Sequence, residues 1–320
     1  MFCPTDLSKY ASYGTIRTLY VNLRMAGKPF PVYDIDNFSY RGTESAFYAN
    51  TFPDHLQQHA HLILAPHRHV FYLSVLFTKG SGIHEIDFNS YDIVPGSVFM
   101  LFPGQVHSWE VSKDIDGYIF FHEREFYSLN FTHEKVENYP FFSSTENTPL
   151  IILKNEEVPG IEIRFREIVT EYRNRHLMGF QKICSLLNLL YIDLSRIYLP
   201  VAQRAKQNET QLMQVRRLEV LVENNFRGIK YPTQYAQMMF MSEKNLNRIC
   251  KITFNKTTSD VIVDRIVLEA KRMLVHSKLS VIQISAELGY IDDSYFVRVF
   301  KKRTGETPME FSKRYSKGNN

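Results

Sequence analysis

The residues best placed to do chemistry lie between Ser285 and Pro308. Phe296, Val299 and Phe300 fall at i, i+3 and i+4, which puts them on one buried stripe of a helix. The opposite face carries Ser294, Arg298 and Lys301, followed by Lys302 and Arg303. A helix anchored by one face, with donors on the other, is what the major groove of DNA admits. The elements that must hold it can be read from the same stretch. Gly289 suits the left-handed residue that closes a first short helix. Asp292 can cap the next one by accepting from its free N–H groups. Ile291 before the cap and Phe296 are spaced for a hydrophobic staple. Taken alone, the stretch also fits a helical hairpin with a solvated, charged face.

A shift of fifty positions reproduces the pattern. Ala236 aligns with Ala286, Met241 with Ile291 and Ser242 with Asp292. Leu246, Ile249 and Cys250 align with Phe296, Val299 and Phe300, Arg248 with Arg298, and Lys251 with Lys301. Asn255 stands opposite Gly305, and both residue types tolerate a left-handed C-cap. A solvated hairpin gives no reason for caps, core stripe and basic face to recur together. Two reading heads on one unit do, because they can enter successive major grooves. Between them, residues 259–277 read as a longer amphipathic helix whose core face is Val261, Ile262, Ile266, Ala270, Met273 and Leu274. That helix would fix the spacing of the heads. The whole helical domain is predicted over 212–316.

Charge is divided along the chain in the same way. From Gln211 to Asn320 there are 19 Lys and Arg against 11 Asp and Glu, whereas the remainder holds 19 basic and 23 acidic residues. A basic end beside an acidic remainder points to a polyanion bound by one end. The length of 320 residues suggests about two domains. Cys3, Cys184 and Cys250 are far apart and lack any CxxC spacing, so they read as small apolar residues in a reducing compartment. The start has no apolar signal core, and no run approaches a membrane span. The expectation is a soluble cytoplasmic protein with no membrane partner.

Residues 1–50 are rich in chain breakers and read as an arm with edge strands. Between about Phe52 and His122 the pattern turns to short aromatic and β-branched runs such as VFYLSVLF, GIHEIDF and GYIFF, separated by turn signals. This predicts a sandwich or barrel over 51–157. Within it, His67, His69 and His107, with Tyr72 and Trp109, are the candidate pocket residues, because small-molecule sites set a few polar groups among aromatics. His84 follows a GSG turn, and parity alone leaves its direction open. Residues 158–200 have helical periodicity. Ile161, Phe165, Ile168, Val169 and Tyr172 mark one helix. Ile183, Leu186, Leu187, Leu190, Leu194 and Ile197 mark a second, widened by Leu189 and Ile192. Such a stripe can pack against the barrel, and its width also leaves room for a homodimer seam over 180–198, which the family resemblance given below implies. Residues 201–211 are polar and aperiodic and read as a linker.

PHRH and VPGSVFMLFPGQVHSW resemble the cupin jelly roll of AraC-type regulators over residues 53–122. KYPTQYAQMM, LNRICK, LEAKRML, SVIQISAELGY and DDSYFVRVFKKRTGETP resemble the DNA-binding domain of the AraC/XylS family. The implied fold is α+β in two domains. A cupin/jelly-roll β-barrel and a helical dimerisation segment are followed by an all-α domain with two helix-turn-helix units. The implied function is a dimeric, sequence-specific transcription regulator, not an enzyme. Its partners would be double-stranded DNA, a small-molecule effector and RNA polymerase, with no cofactor. By resemblance, Lys244, Asn247 and Arg248 read bases in the first head, and Asp293, Ser294 and Arg298 in the second. Lys251, Lys301, Lys302 and Arg303 would hold phosphates, which position without reading sequence. Asp293 departs from a donor-rich pattern and fits a helix-dipole role better. Enzymatic cupins bind a metal through an HxH pair, a nearby Glu and a later His. His67, His69 and His107 fit those slots, but Val70 to Ser74 offers no carboxylate. The alternative of a metal-dependent cupin enzyme tethered to DNA therefore lacks one ligand.

Overall fold

The structure, a computed structural model, describes residues 31–38, 46–131, 136–142, 148–198 and 209–317. Two five-stranded sheets lie face to face. The first runs in the order β1 (Val32–Tyr33), β3 (His67–His69), β8 (Val106–Val111), β5 (Gly82–Ile86) and β6 (Asn89–Ile93). The second runs β10 (Leu150–Ile152), β7 (Ser97–Leu101), β4 (Tyr72–Lys79), β9 (Asp116–His122) and β2 (Phe47–Thr51). β1 joins β3 in parallel, as an edge strand. The result is a jelly-roll-like sandwich. Among the described residues the sheets keep open edges, so the expected barrel does not close. Residues 1–30 of the expected arm lie outside the described residues, as does Cys3. Cys184 and Cys250 are free and buried.

The region expected to hold short β-like runs from about Phe52 opens instead on a helix. Residues from Phe52 form α1 (Phe52–Ile63), started by Thr51, whose hydroxyl accepts from Asp54 N–H at 3.3 Å, with Pro53 in the first turn. A Thr cap followed by Pro and Asp is a helix-start signal, and it outweighs the β-like runs that follow.

Strand alternation divides the sandwich into two cores. Leu73, Val75 and Phe77 of β4 point between the sheets, where they meet Phe99, Trp109 and Phe121. Tyr72 and Leu76 point the other way, onto α3 (Val158–Asn174) and α4 (Gly179–Tyr198), together with Phe165, Leu187, Leu190 and Leu194. Burying each such side chain contributes about 1.5–3 kcal/mol. The wide apolar stripe of α4 is therefore largely used within the chain. Ile183, Leu186, Leu187, Leu190 and Leu194 are buried, and Leu189 alone of the stripe is 45% exposed. α2 (Arg124–Asn130) follows β9 and sets the rings of Phe126 and Tyr127 near His122.

Residues 201–208 of the expected linker lie outside the described residues, and its last three residues already belong to α5 (Glu209–Asn225). Then come α6 (Pro232–Met238), α7 (Glu243–Phe254), α8 (Thr258–His276), α9 (Val281–Glu287), α10 (Asp293–Thr304) and α11 (Pro308–Lys317). The helix pairs α6–α7 and α9–α10 are the two expected heads. Ser242 Oγ accepts from Asn245 N–H at 3.2 Å, and Asp292 Oδ1 accepts from Ser294 N–H at 2.9 Å and Tyr295 N–H at 3.1 Å. α7 ends on left-handed Asn255 (φ 56°) and α10 on Gly305 (φ 85°). The recurrence also extends beyond the heads themselves. Thr257 and Asp260 cap α8 reciprocally, and Thr307 and Glu310 repeat that box fifty positions on.

Two details differ from expectation. Ala236 and Ser285 are buried (2% and 1% exposed), whereas Ala286 is exposed. Ahead of the turn the true partner of Ala236 is thus Ser285, and the second turn holds one extra residue. Ile291, in that longer turn, is fully exposed, so no staple to Phe296 forms.

The same turn explains Gly289. Its φ is +76°, and an added Cβ would lie 1.8 Å from the Arg227 carbonyl oxygen. At Gly305, with φ +85°, an added Cβ would meet nothing within 4 Å. Gly305→Ala should lose about 1–2 kcal/mol, the left-handed penalty alone. Gly289→Ala should lose clearly more, because backbone must also move. Urea unfolding of both variants checks this ordering, and equal losses would contradict it.

Candidate functional site

The C-terminal domain presents its heads on one rigid core. Leu246, Ile249 and Cys250 of α7, and Phe296 and Phe300 of α10, are fully buried, which fixes the direction of the opposite faces. Lys244, Arg248 and Lys251 are exposed on the first head, and Asp293, Ser294, Arg298, Lys301 and Lys302 on the second. Arg248 Nη2 donates to Asn245 Oδ1 at 3.0 Å. Arg298 lies 3.8 Å from Asp292 and 5.8 Å from the Tyr295 ring centroid. Exposed pairs of this kind hold weakly and can be exchanged for a ligand. Asp293 occupies the first turn of α10, where a carboxylate favours the helix dipole.

Two expected contacts are committed elsewhere. Asn247 Oδ1 accepts from Thr258 N–H at 3.1 Å, at the start of α8. That bond removes the acceptor needed for a two-bond pairing with adenine. Arg303 donates to Asp264 Oδ2 at 2.5 Å and to Asp260 at 3.4 Å, tying α10 to α8 rather than standing ready for phosphate. In both cases the partner lies on α8, and no spacing rule within the head could reveal it.

The sandwich interior gathers histidines. His67 and His69 point inward from β3, with ring centroids 4.3 and 5.0 Å from that of His107 on β8. His84 also points inward and bonds His107, Nε2 to Nδ1, at 3.0 Å. Trp109 lies against His84 and His107. Tyr72 is not part of this group. By strand parity it faces the helices, stacked on His122 at 5.3 Å and packed on Phe142. Sequence reasoning missed His55 and His59, because no helix is expected over residues 52–63; His55 shares a 3.0 Å hydrogen bond with the Tyr48 hydroxyl. The i, i+4 spacing of the two histidines was the available signal.

Burial sets the chemistry of these rings. His67 Nδ1–H donates to Ala65 O at 2.9 Å and His69 Nδ1–H to Phe71 O at 2.7 Å, leaving Nε2 of each as a bare acceptor. Loss of water pushes His67 down to about 4 and His69 to about 3, and drives His55, His84 and His107 lower than usual, helped by their neighbours. Nε2 of His69 and His107, Nδ1 of His84 and Nε1 of Trp109 are buried without a hydrogen-bond partner. Groups like these are costly unless something meets them. Among the described residues no set of His, Cys, Asp or Glu is spaced to hold a metal ion.

A cleft of about 520 Å³ separates the first sheet from α5 and α8, lined in part by Arg68, Glu223, Arg227, Arg265 and Glu269. Its charges already face one another. Glu269 receives Arg68 and Arg227, each at 3.3 Å, and Arg265 at 3.2 Å, and Arg265 also binds Glu223 at 2.9 Å. The unpartnered nitrogens of His84, His107 and Trp109 lie in the histidine interior instead.

The histidines give a pH dependence with a definite sign. In the folded chain they stay neutral well below 6.5, whereas the unfolded chain protonates them there. The unfolded state then binds more protons, so stability is lost as pH falls from 6.5 towards 4 and 3. His67 and His69 supply the part of this loss with a defined lower end, and the lowered His55, His84 and His107 act in the same direction. Circular dichroism should show the sandwich unfolding between pH 6.5 and 4. Full retention of structure at pH 4 would contradict the neutral-histidine interior.

Residues 52–161 match the AraC-like ligand binding domain, and residues 235–314 match a helix-turn-helix domain. The HTH-type transcriptional activator RhaR of Enterobacter sp. is 21% identical over 260 residues, covering 80% of this chain and 89% of the relative. An uncharacterized HTH-type transcriptional regulator in the cgkA 5' region of Pseudoalteromonas carrageenovora is 32% identical over 114 residues, covering 35% of this chain and 67% of the relative. Among solved structures, fatty-acid-bound ToxT of Vibrio cholerae matches at 14% identity with a TM-score of 0.39, covering 85% of this chain and 97% of that one. No helix among the described residues is long and apolar enough to cross a membrane. A histidine-lined sandwich matched to a ligand-binding domain thus precedes two capped heads matched to a DNA-binding one, and the chain belongs to the AraC family of transcription regulators.

Proposed function

We propose that this regulator binds a specific operator as a homodimer, with both heads of each protomer in successive major grooves, and that a small molecule in the sandwich interior modulates it. One observation carries the reading. A capped helix with a buried apolar stripe and an exposed basic face occurs twice on one folded core. Lys244 and Arg248 read bases in the first head, and Ser294 and Arg298 in the second, since Lys and Arg donate to guanine and Ser bonds either way. Asp293 supports the helix end rather than reading a base. Lys251, Lys301 and Lys302 hold phosphates. The regulator works in the cytoplasm, where operator and RNA polymerase meet.

The effector occupies the space around His67, His69, His84, His107 and Trp109. Support comes from the buried, unpartnered nitrogens there, which a polar ligand would satisfy. Dimerisation uses the outer edge of α4, where exposed Leu189 lies one turn from half-buried Ile192.

Selection of bound sequences from random DNA tests the main reading: a defined site should emerge. On that site Arg298→Ala should cost about 1–3 kcal/mol and relax one base position, whereas Lys301→Ala should weaken all sequences alike. Equal losses on specific and random DNA for both variants would overturn the assignment. For the seam, Leu189→Arg should shift the protein to monomer in sedimentation at micromolar concentration, and an unchanged dimer would move the interface elsewhere.

A further inference from the structure

The two domains meet through buried charge. Asp87 of the β5–β6 turn takes both Nε and Nη2 of Arg272, at 2.7 and 2.6 Å, and Arg68 of β3 reaches Glu269 at 3.3 Å. Arg272 is 2% exposed and Glu269 3%. Arg272 and Glu269 also bind each other at 3.3 Å. Both belong to α8, the helix between the two heads. Burial alone would penalise all four charges, so the pairs hold only while sandwich and helix stay docked. Asp87 and Phe88 both adopt left-handed backbone, with φ of 47° and 73°. For Phe this conformation costs about 1–2 kcal/mol. The two-residue loop between the paired Ile86 and Asn89 requires this conformation at both positions, and Phe88 at its tip packs on His276, Phe311 and Tyr315 of the DNA-binding domain.

β3 has two faces. His67 and His69 enter the histidine interior, and Arg68 between them points to Glu269. Alternation makes this unavoidable: a change inside the sandwich that moves β3 moves Arg68. β8 acts in parallel. His107 lies inside, and the neighbouring Val106 N–H donates to Asp87 Oδ1 at 3.1 Å. Both sandwich-side members of the lock therefore adjoin strands that carry interior histidines.

We propose that Arg68–Glu269 and Asp87–Arg272 form an interdomain lock that transmits the state of the histidine interior to α8, and so to the pitch of both heads. The reading residues are exposed in the docked arrangement, so the lock holds a DNA-competent form, and breaking it removes preorganisation. The proposal rests on the operator-binding reading above, and the experiment separates the two.

The test uses the full chain and the double variant Arg68→Gln/Asp87→Asn. Asn keeps the left-handed turn and the acceptor for Val106, and neither change touches a head or the interior. By scanning calorimetry the wild type should unfold in one coupled transition and the double variant in two. Operator affinity should fall at least fivefold in the double variant. His69→Phe then serves as the interior probe, with His67→Gln as a second should the first fail to fold. The interior change should shift operator affinity at least fivefold with the lock intact and less than twofold without it. A shift of equal size in both backgrounds, or unchanged affinity and calorimetry in the double variant, overturns the lock. Absence of any operator in the wild type would instead sink the operator reading, and calorimetry would still decide whether the lock exists.

Discussion

Glu269 is the point on which the two halves of this molecule depend. It lies buried among Arg68, Arg227, Arg265 and Arg272, which hold its carboxyl far below the usual carboxylate range despite the penalty of burial. Three of these partners come from the C-terminal domain and one from β3 of the sandwich. Within its own domain Glu269 joins α8 to Arg227, just beyond α5, and through Arg265 to Glu223. The desolvation of so many charges is offset only in one geometry, so the cluster specifies a single arrangement more than it adds stability.

Around that point the second domain is organised by α8. It packs on both heads, and Asn247 and Arg303, one from each head, bond to its first two turns. These contacts withdraw two side chains from the reading surface and in return set the angle at which each reading helix leaves the core. The basic groups left outside are those with no partner on α8.

Local rules carried the sequence a long way. Ser242, Asp292, Asn255 and Gly305 announce their helix ends by residue type, and the fifty-residue recurrence made the two heads legible. What stayed hidden depends on register and distance. Ser285 takes the place expected for Ala286 because one extra residue in a turn shifts everything before it. Tyr72 looks like a pocket residue by type, yet one step of strand parity turns it to the helices. His84 resolved inward for the same reason. The α4 stripe looked wide enough for a partner, and its own sheet covers most of it. Arg68 and Asp87 carried no local signal, because their partners lie about two hundred positions away.

The central claim is that two heads on one core read DNA together. Hydroxyl-radical footprinting of the selected operator tests it most directly. The account predicts two protected segments per protomer, on one face of the duplex, with centres about 10 bp apart. A single protected segment per protomer, unchanged when Arg298 is replaced by Ala, would contradict it.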